Sequence, residues 1–295
     1  MLAVSGSGPN DVYFATASGN IWRFDGLTFG ALPVYHNAVS SADLRSIWVS
    51  STGAVFAGGD NGYLPFCKSG CSQPSNYFQA TVAATITGVC GLDDTHVYAV
   101  GNNASSLGVM FRWNGTTWNT SAIPTTSYSN AGCWVAANGD VFIAAQSKIL
   151  HFDGVAITSE TIVWPAGWGT SEIALQNFEA VWGSGSTLFA TGSRLRVISR
   201  DGAGTWTFAF NQNGVNDNHT LYGSGPNDAF AAGARSSTAN LTRFDATKTP
   251  PWAYVQTADV PDITFWGLWA ASPKLYYVAG TDSGGLTGVI YRATR

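Results

Sequence analysis

Arg45, Thr87, Glu179, His219 and Trp266 occupy one recurring place in this chain, three residues ahead of Trp48, Cys90, Trp182, Tyr222 and Trp269 respectively. If those places converge in space, an arginine, a glutamate and a histidine share one polar site. Histidine exchanges protons near neutral pH, and with a carboxylate beside it Glu179, His219 and Arg45 could perform the acid–base work of a hydrolase or lyase. The same groups, with Trp266, could hold a polar ligand without turning it over. A ring of inward strands also puts one residue per strand at such a level, and a wet channel accounts for some of this polarity.

A second group lies close by in sequence. All the glutamates of the chain, Glu160, Glu172 and Glu179, fall in one stretch with Trp164, Pro165 and Trp168. Two tryptophans on a loop suit a carbohydrate or peptide platform, because an indole covers apolar C–H faces and leaves neighbouring hydroxyls free to bond. They suit equally well the packing of an insertion against its support.

Metal chemistry has little to draw on. His36, His96, His151 and His219 are far apart in sequence and show no zinc spacing. The oxygen-rich places Asn10-Asp11, Asp93-Asp94, Asn227-Asp228 and Asp259 to Asp262 lack the ligand spacing of a calcium loop and read as turn formers. No nucleophile elbow, phosphate loop or dinucleotide fingerprint occurs, so no metal and no cofactor is expected. Of the cysteines, Cys67 and Cys71 flank Lys-Ser-Gly and are expected to close a small disulfide ring. Cys90 and Cys133 project from opposite strand faces of neighbouring repeats, a parity that allows a second bond and also fits two small buried residues.

The elements that must position these residues are legible as a repeat. Tyr13, Phe56, Tyr98, Phe142, Phe189, Phe230 and Tyr276 anchor seven units with separations of 43, 42, 44, 47, 41 and 46. Each unit begins with a short apolar strand such as Ser46-Ile47-Trp48-Val49 and a turn such as Gly225-Pro226-Asn227-Asp228. The anchor strand follows, then a Gly-rich loop and a third strand such as Asn20-Ile21-Trp22-Arg23-Phe24. Asp25-Gly26, Asn114-Gly115 and Asp153-Gly154 predict a tight hairpin, with both central residues at positive φ, into a fourth strand. The fold is therefore expected to be all-β, a single seven-bladed β-propeller over residues 1–295 with four-stranded antiparallel blades. Blades are expected to start near residues 2, 44, 86, 131, 178, 219 and 265. The last unit stops at its third strand, which suggests a blade without its outer strand, or a longer protein that supplies it.

Composition sets the surroundings. Charged residues are 11% against roughly 25% in ordinary soluble proteins, and the net charge is −4. With four lysines and no basic stripe, a nucleic-acid partner is not expected. No apolar run reaches the ~18 residues of a membrane span. Low charge, abundant tryptophan and the cysteine pairs point to a secreted, periplasmic or cell-surface protein, although Met1-Leu2-Ala3-Val4-Ser5 does not read as a signal peptide. Sequons begin at Asn103, Asn114, Asn119, Asn218 and Asn240.

The run Val4-Ser5-Gly6-Ser7-Gly8-Pro9-Asn10-Asp11-Val12-Tyr13, followed by Ser18 to Gly26, resembles the repeat unit of secreted bacterial β-propeller proteins. It is also similar to the tectonin repeat of propeller lectins. Ser199-Arg200-Asp201-Gly202-Ala203-Gly204-Thr205-Trp206 resembles the Asp-box of sialidases and related propellers, which implies a structural turn between third and fourth strands. These resemblances imply a propeller and lectin-like recognition more than any reaction.

Three functions follow as expectations. The first is a non-enzymatic recognition module that binds a glycan or a surface protein through the loop face, using Trp164, Trp168, Glu179, His219, Arg45 and Trp266. The second is a hydrolase or lyase at the channel mouth. The third is a purely structural propeller attached to other domains of a longer chain.

Overall fold

Middle strands such as Val55–Gly59 and Val141–Ala145 are buried along their whole length, because each blade is covered on both faces by its neighbours. That is why they read as unbroken apolar runs rather than as alternating ones. The computed structural model describes residues 1–36, 42–119, 123–126, 129–211, 216–235, 238–255, 263–282 and 287–294. It is a seven-bladed β-propeller of antiparallel blades, with almost no helix.

The inner strands, in blade order, are Ala3–Gly8, Leu44–Val49, Thr85–Asp93, Cys133–Val135, Phe178–Ser184, Asn216–Gly225 and Ile263–Ser272. Five blades carry four strands. Blade seven has three among the described residues, ending at Gly288–Thr294. Blade five departs in the other direction and has five. Its extra strand, Thr161–Ile162, lies parallel to the outer strand Thr205–Phe210 and comes from the insertion after blade four. The insertion thus ties blade four to the rim of blade five before a one-turn helix, Thr170–Ala174, leads back to the inner strand.

The outer hairpins differ from the tight two-residue form expected. Gly26, Gly115 and Gly154 take positive φ, but Asp25, Asn114 and Asp153 do not. Each of those side chains instead accepts backbone N–H bonds from the second and third residues after it, for example from Leu27 at 2.9 Å and Thr28 at 2.8 Å onto Asp25. The acceptor replaces a backbone partner and makes a longer loop. The Asp-box-like segment works in the same way, with Asp201 accepting from Ala203 and Thr205.

Neighbouring blades interlock through tryptophan and glycine. A Cβ on Gly91, Gly183, Gly223 or Gly6 would meet the indole of Trp48, Trp134, Trp182 or Trp269 of the preceding blade at 2.9 Å or less. The last of these closes the ring, blade seven onto blade one. Hydrogen bonds follow the same period: Val49 N–H donates to the Ser5 hydroxyl at 3.0 Å, and Val89 N–H to that of Ser46 at 2.9 Å. Gly223→Val should therefore cost about 1–3 kcal/mol or more through overpacking, as its Cβ would lie 2.4 Å from Trp182 and 2.5 Å from the Asp228 carbonyl. Denaturant unfolding checks this. Unchanged stability would mean that the contact is not tight.

Both cysteine pairs are disulfides. Cys67–Cys71 closes the small ring expected, and Cys90–Cys133 joins the inner strands of blades three and four. The opposite-face parity read from the repeat is the parity that lets adjacent blades share a bond. Of the sequons, Asn218 and Asn240 are buried and bonded to each other at 2.7 Å, which leaves no room for a glycan there. The stretch Asp259 to Asp262 lies outside the described residues.

Candidate functional site at the channel mouth

Each inner strand enters the ring from the same side, so residues at one register level meet around the axis. Leu2, Arg45, Thr87, Ala131, Glu179, His219 and Trp266 supply one residue per blade to a vestibule of about 490 Å³. The vestibule is continuous with a cavity of about 450 Å³ whose wall includes residues of all seven inner strands and the Cys90–Cys133 bond. The five positions singled out from the repeat are therefore brought together.

Their chemistry is uneven. His219 Nδ1 lies 2.7 Å from Glu179 Oε2, and the imidazole stacks on the Trp266 indole with centroids 4.4 Å apart and planes at 27°. The indole is anchored in turn, its Nε1–H donating to the Thr281 hydroxyl at 3.0 Å. Arg45 is already engaged, because Asp60 takes its Nε at 2.6 Å and its Nη2 at 3.1 Å. That hydrogen bonding raises the Arg45 pKa further above its already high value. Burial, and then the Asp60 charge, push the nearby Asp43 carboxyl up, with Arg45 offsetting part of this.

Two further polar residues of the wall are bonded internally. The Thr87 hydroxyl donates to the Asn130 carbonyl at 3.0 Å, and the buried Asn130 amide serves the carbonyls of Gly101 and Val109. Glu179 Oε1, His219 Nε2 and the Asn177 side chain have no hydrogen-bond partner among the described residues. Glu179 is 23% exposed and His219 16%, so both are accessible from the vestibule yet held in place. Asp60 and Asn177 were missed by repeat arithmetic, because they lie in loops whose length varies from blade to blade.

The insertion does not join this site. Trp164 and Trp168 line neither the vestibule nor the cavity. They stack on each other at 6.0 Å and pack against Phe208, while Trp164 also meets Phe178. The buried Arg196 guanidinium sits 4.2 Å over the Trp168 ring. The three glutamates part company as well. Glu172 accepts the Gly169 N–H at the helix start, Glu179 reaches the mouth, and Glu160 turns into the interface of blades four and five. There its carboxylate bonds Arg200 at 2.8 and 3.2 Å, the Trp206 indole N–H at 3.2 Å and His151 Nδ1 at 3.1 Å. His151 Nε2 in turn meets Asp140 at 2.8 Å. No group of three or more metal-ligating side chains occurs among the described residues, and no described helix is long and apolar enough to cross a membrane.

No family model matches the chain, and no curated protein does. Solved structures match its fold. The WD40 repeats of RRP9 align with a TM-score of 0.74 at 9% identity, over 100% of this chain and 94% of that one. YCF48 bound to the D1 peptide gives 0.68 at 12% identity, over 100% and 91%. Virginiamycin B lyase from Staphylococcus aureus gives 0.69 at 10%, over 96% and 94%. These likenesses extend to the propeller fold itself.

Proposed function

We propose that the chain is a recognition module that binds a polypeptide segment of a partner protein at the mouth of its central channel. The observation that carries this reading is the partly exposed Trp266 beside Glu179 Oε1 and His219 Nε2, all facing an open vestibule in which Arg45, Thr87 and Asn130 are engaged by the fold. An aromatic platform with a few convergent polar groups is the usual composition of a ligand site. One structural neighbour, YCF48, was solved bound to a peptide. Secretion or surface display belongs to the same reading and is supported by the two disulfides.

Panning a random displayed peptide library against the protein tests this. The wild type should enrich a consensus, and Trp266→Ala should weaken the selected peptides at least tenfold, as loss of a central aromatic contact does. Absence of any enriched peptide would contradict the proposal.

The Glu179–His219 contact favours a second reading. A carboxylate that orients an imidazole and leaves the other ring nitrogen facing a cavity is the arrangement of a general base, and one structural neighbour is a lyase. Turnover of a substrate in a hydrolase and lyase screen, abolished by His219→Gln, would favour this reading over binding alone.

A further inference from the structure

We infer that the mouth receives a basic side chain, lysine or arginine, from its polypeptide partner, a reading that rests on the recognition role just proposed. The groups left open on the Glu179–His219 pair are acceptors, while Asn177 in the same wall carries an amide that can donate or accept. With its Nδ1–H donated to Glu179 Oε2, a neutral His219 ring presents only a lone pair at Nε2, and Glu179 Oε1 presents carboxylate lone pairs. Two acceptors about one recess call for a ligand rich in donors. An ammonium carries three N–H donors and a guanidinium five, and neither accepts.

Charge points the same way. Glu179 faces the vestibule with one carboxylate oxygen open. The Arg45 guanidinium in the same wall is engaged by Asp60, which holds it with two bonds. A carboxylate without a free counter-charge in a low-dielectric recess attracts the opposite charge. Space is sufficient too, because the vestibule opens onto the cavity of about 450 Å³ and a long aliphatic stem can extend into it. The Trp266 indole beside His219 offers an apolar surface for that stem. An acidic or apolar side chain would leave Glu179 Oε1 desolvated without a donor, and a neutral amide would supply a donor but no charge, and this difference produces selectivity.

Fluorescent nine-residue peptide pools with randomised flanks and a central Lys, Arg, Gln or Glu provide the test, with fluorescence polarisation as readout. The Lys or Arg pool should bind at least tenfold more tightly than the Gln pool, and Glu179→Gln, of nearly identical shape, should remove most of that preference. A melting curve of the variant confirms folding, and Glu179→Asp, which keeps the charge, should retain part of the preference. Equal binding of the Lys, Arg and Gln pools, or a preference that survives Glu179→Gln, would overturn the basic-ligand inference while leaving peptide recognition in place. Binding by none of the pools would overturn both. Preference for Arg over Lys, or the reverse, identifies which donor geometry the recess takes.

Discussion

Glu160→Ala should destabilise the protein by about 3 kcal/mol, the lower end of the range for breaking a buried ion pair. Glu160 is 7% exposed, and its two oxygens serve Arg200, the indole N–H of Trp206 and His151. Removing the carboxylate leaves Trp206, which is fully buried, with a donor and no acceptor, and Arg200 with an uncompensated charge over the Phe142 ring. Arg200 keeps 22% exposure, and this residual solvation holds the cost to the lower end. Glu160→Gln preserves shape and one acceptor oxygen and should fall between the wild type and alanine. Chemical denaturation measures the series. A loss under about 1 kcal/mol for the alanine variant would show that the network contributes no more than a surface pair.

Removing the Cys90–Cys133 bond should cost more than removing Cys67–Cys71. In the chain-entropy account a cross-link restrains the unfolded chain in proportion to the logarithm of its loop, so the long loop is worth about 4 kcal/mol and the short ring about 2 kcal/mol. The sequence separations are 43 and 4. The double variants Cys90→Ala with Cys133→Ala, and Cys67→Ala with Cys71→Ala, make the comparison without leaving free thiols. The longer bond also fastens together two adjacent inner strands, two residues from Ala131 of the mouth. Equal losses in the two double variants would contradict this ordering and place the stabilisation in local packing rather than in the unfolded chain.

The repeat was legible because middle strands are buried on both faces and turns need particular residues, so Tyr13, Phe56 and their equivalents recur whatever the ligand. Register arithmetic then located Arg45, Thr87, Glu179, His219 and Trp266, since strand geometry alone fixes which residues share a level. The partners of those side chains were not legible. Asp60 reaches Arg45 from a loop outside the repeat pattern, and the bond between Glu179 and His219 depends on how closely two blades approach. Proximity in sequence also misled where the chain reverses. Glu160, Glu172 and Glu179 read as one acidic insertion, yet the extra strand and the short helix between them send the three carboxylates to three separate surroundings. The fifth strand of blade five had no signal either, because Thr161–Ile162 is too short to show periodicity. Trp164 and Trp168, offered as a platform by composition, are engaged with Phe208 and Arg196.

Recognition at the channel mouth, rather than at the insertion, is most directly tested by titrating one library-selected peptide into matched tryptophan variants. Isothermal titration should show Trp266→Ala weakening the peptide at least tenfold while Trp164→Ala leaves its affinity within about twofold, as expected for a residue outside a binding hot spot. The opposite pattern, with affinity lost at Trp164 and kept at Trp266, would move the site to the insertion and contradict the account given for the mouth.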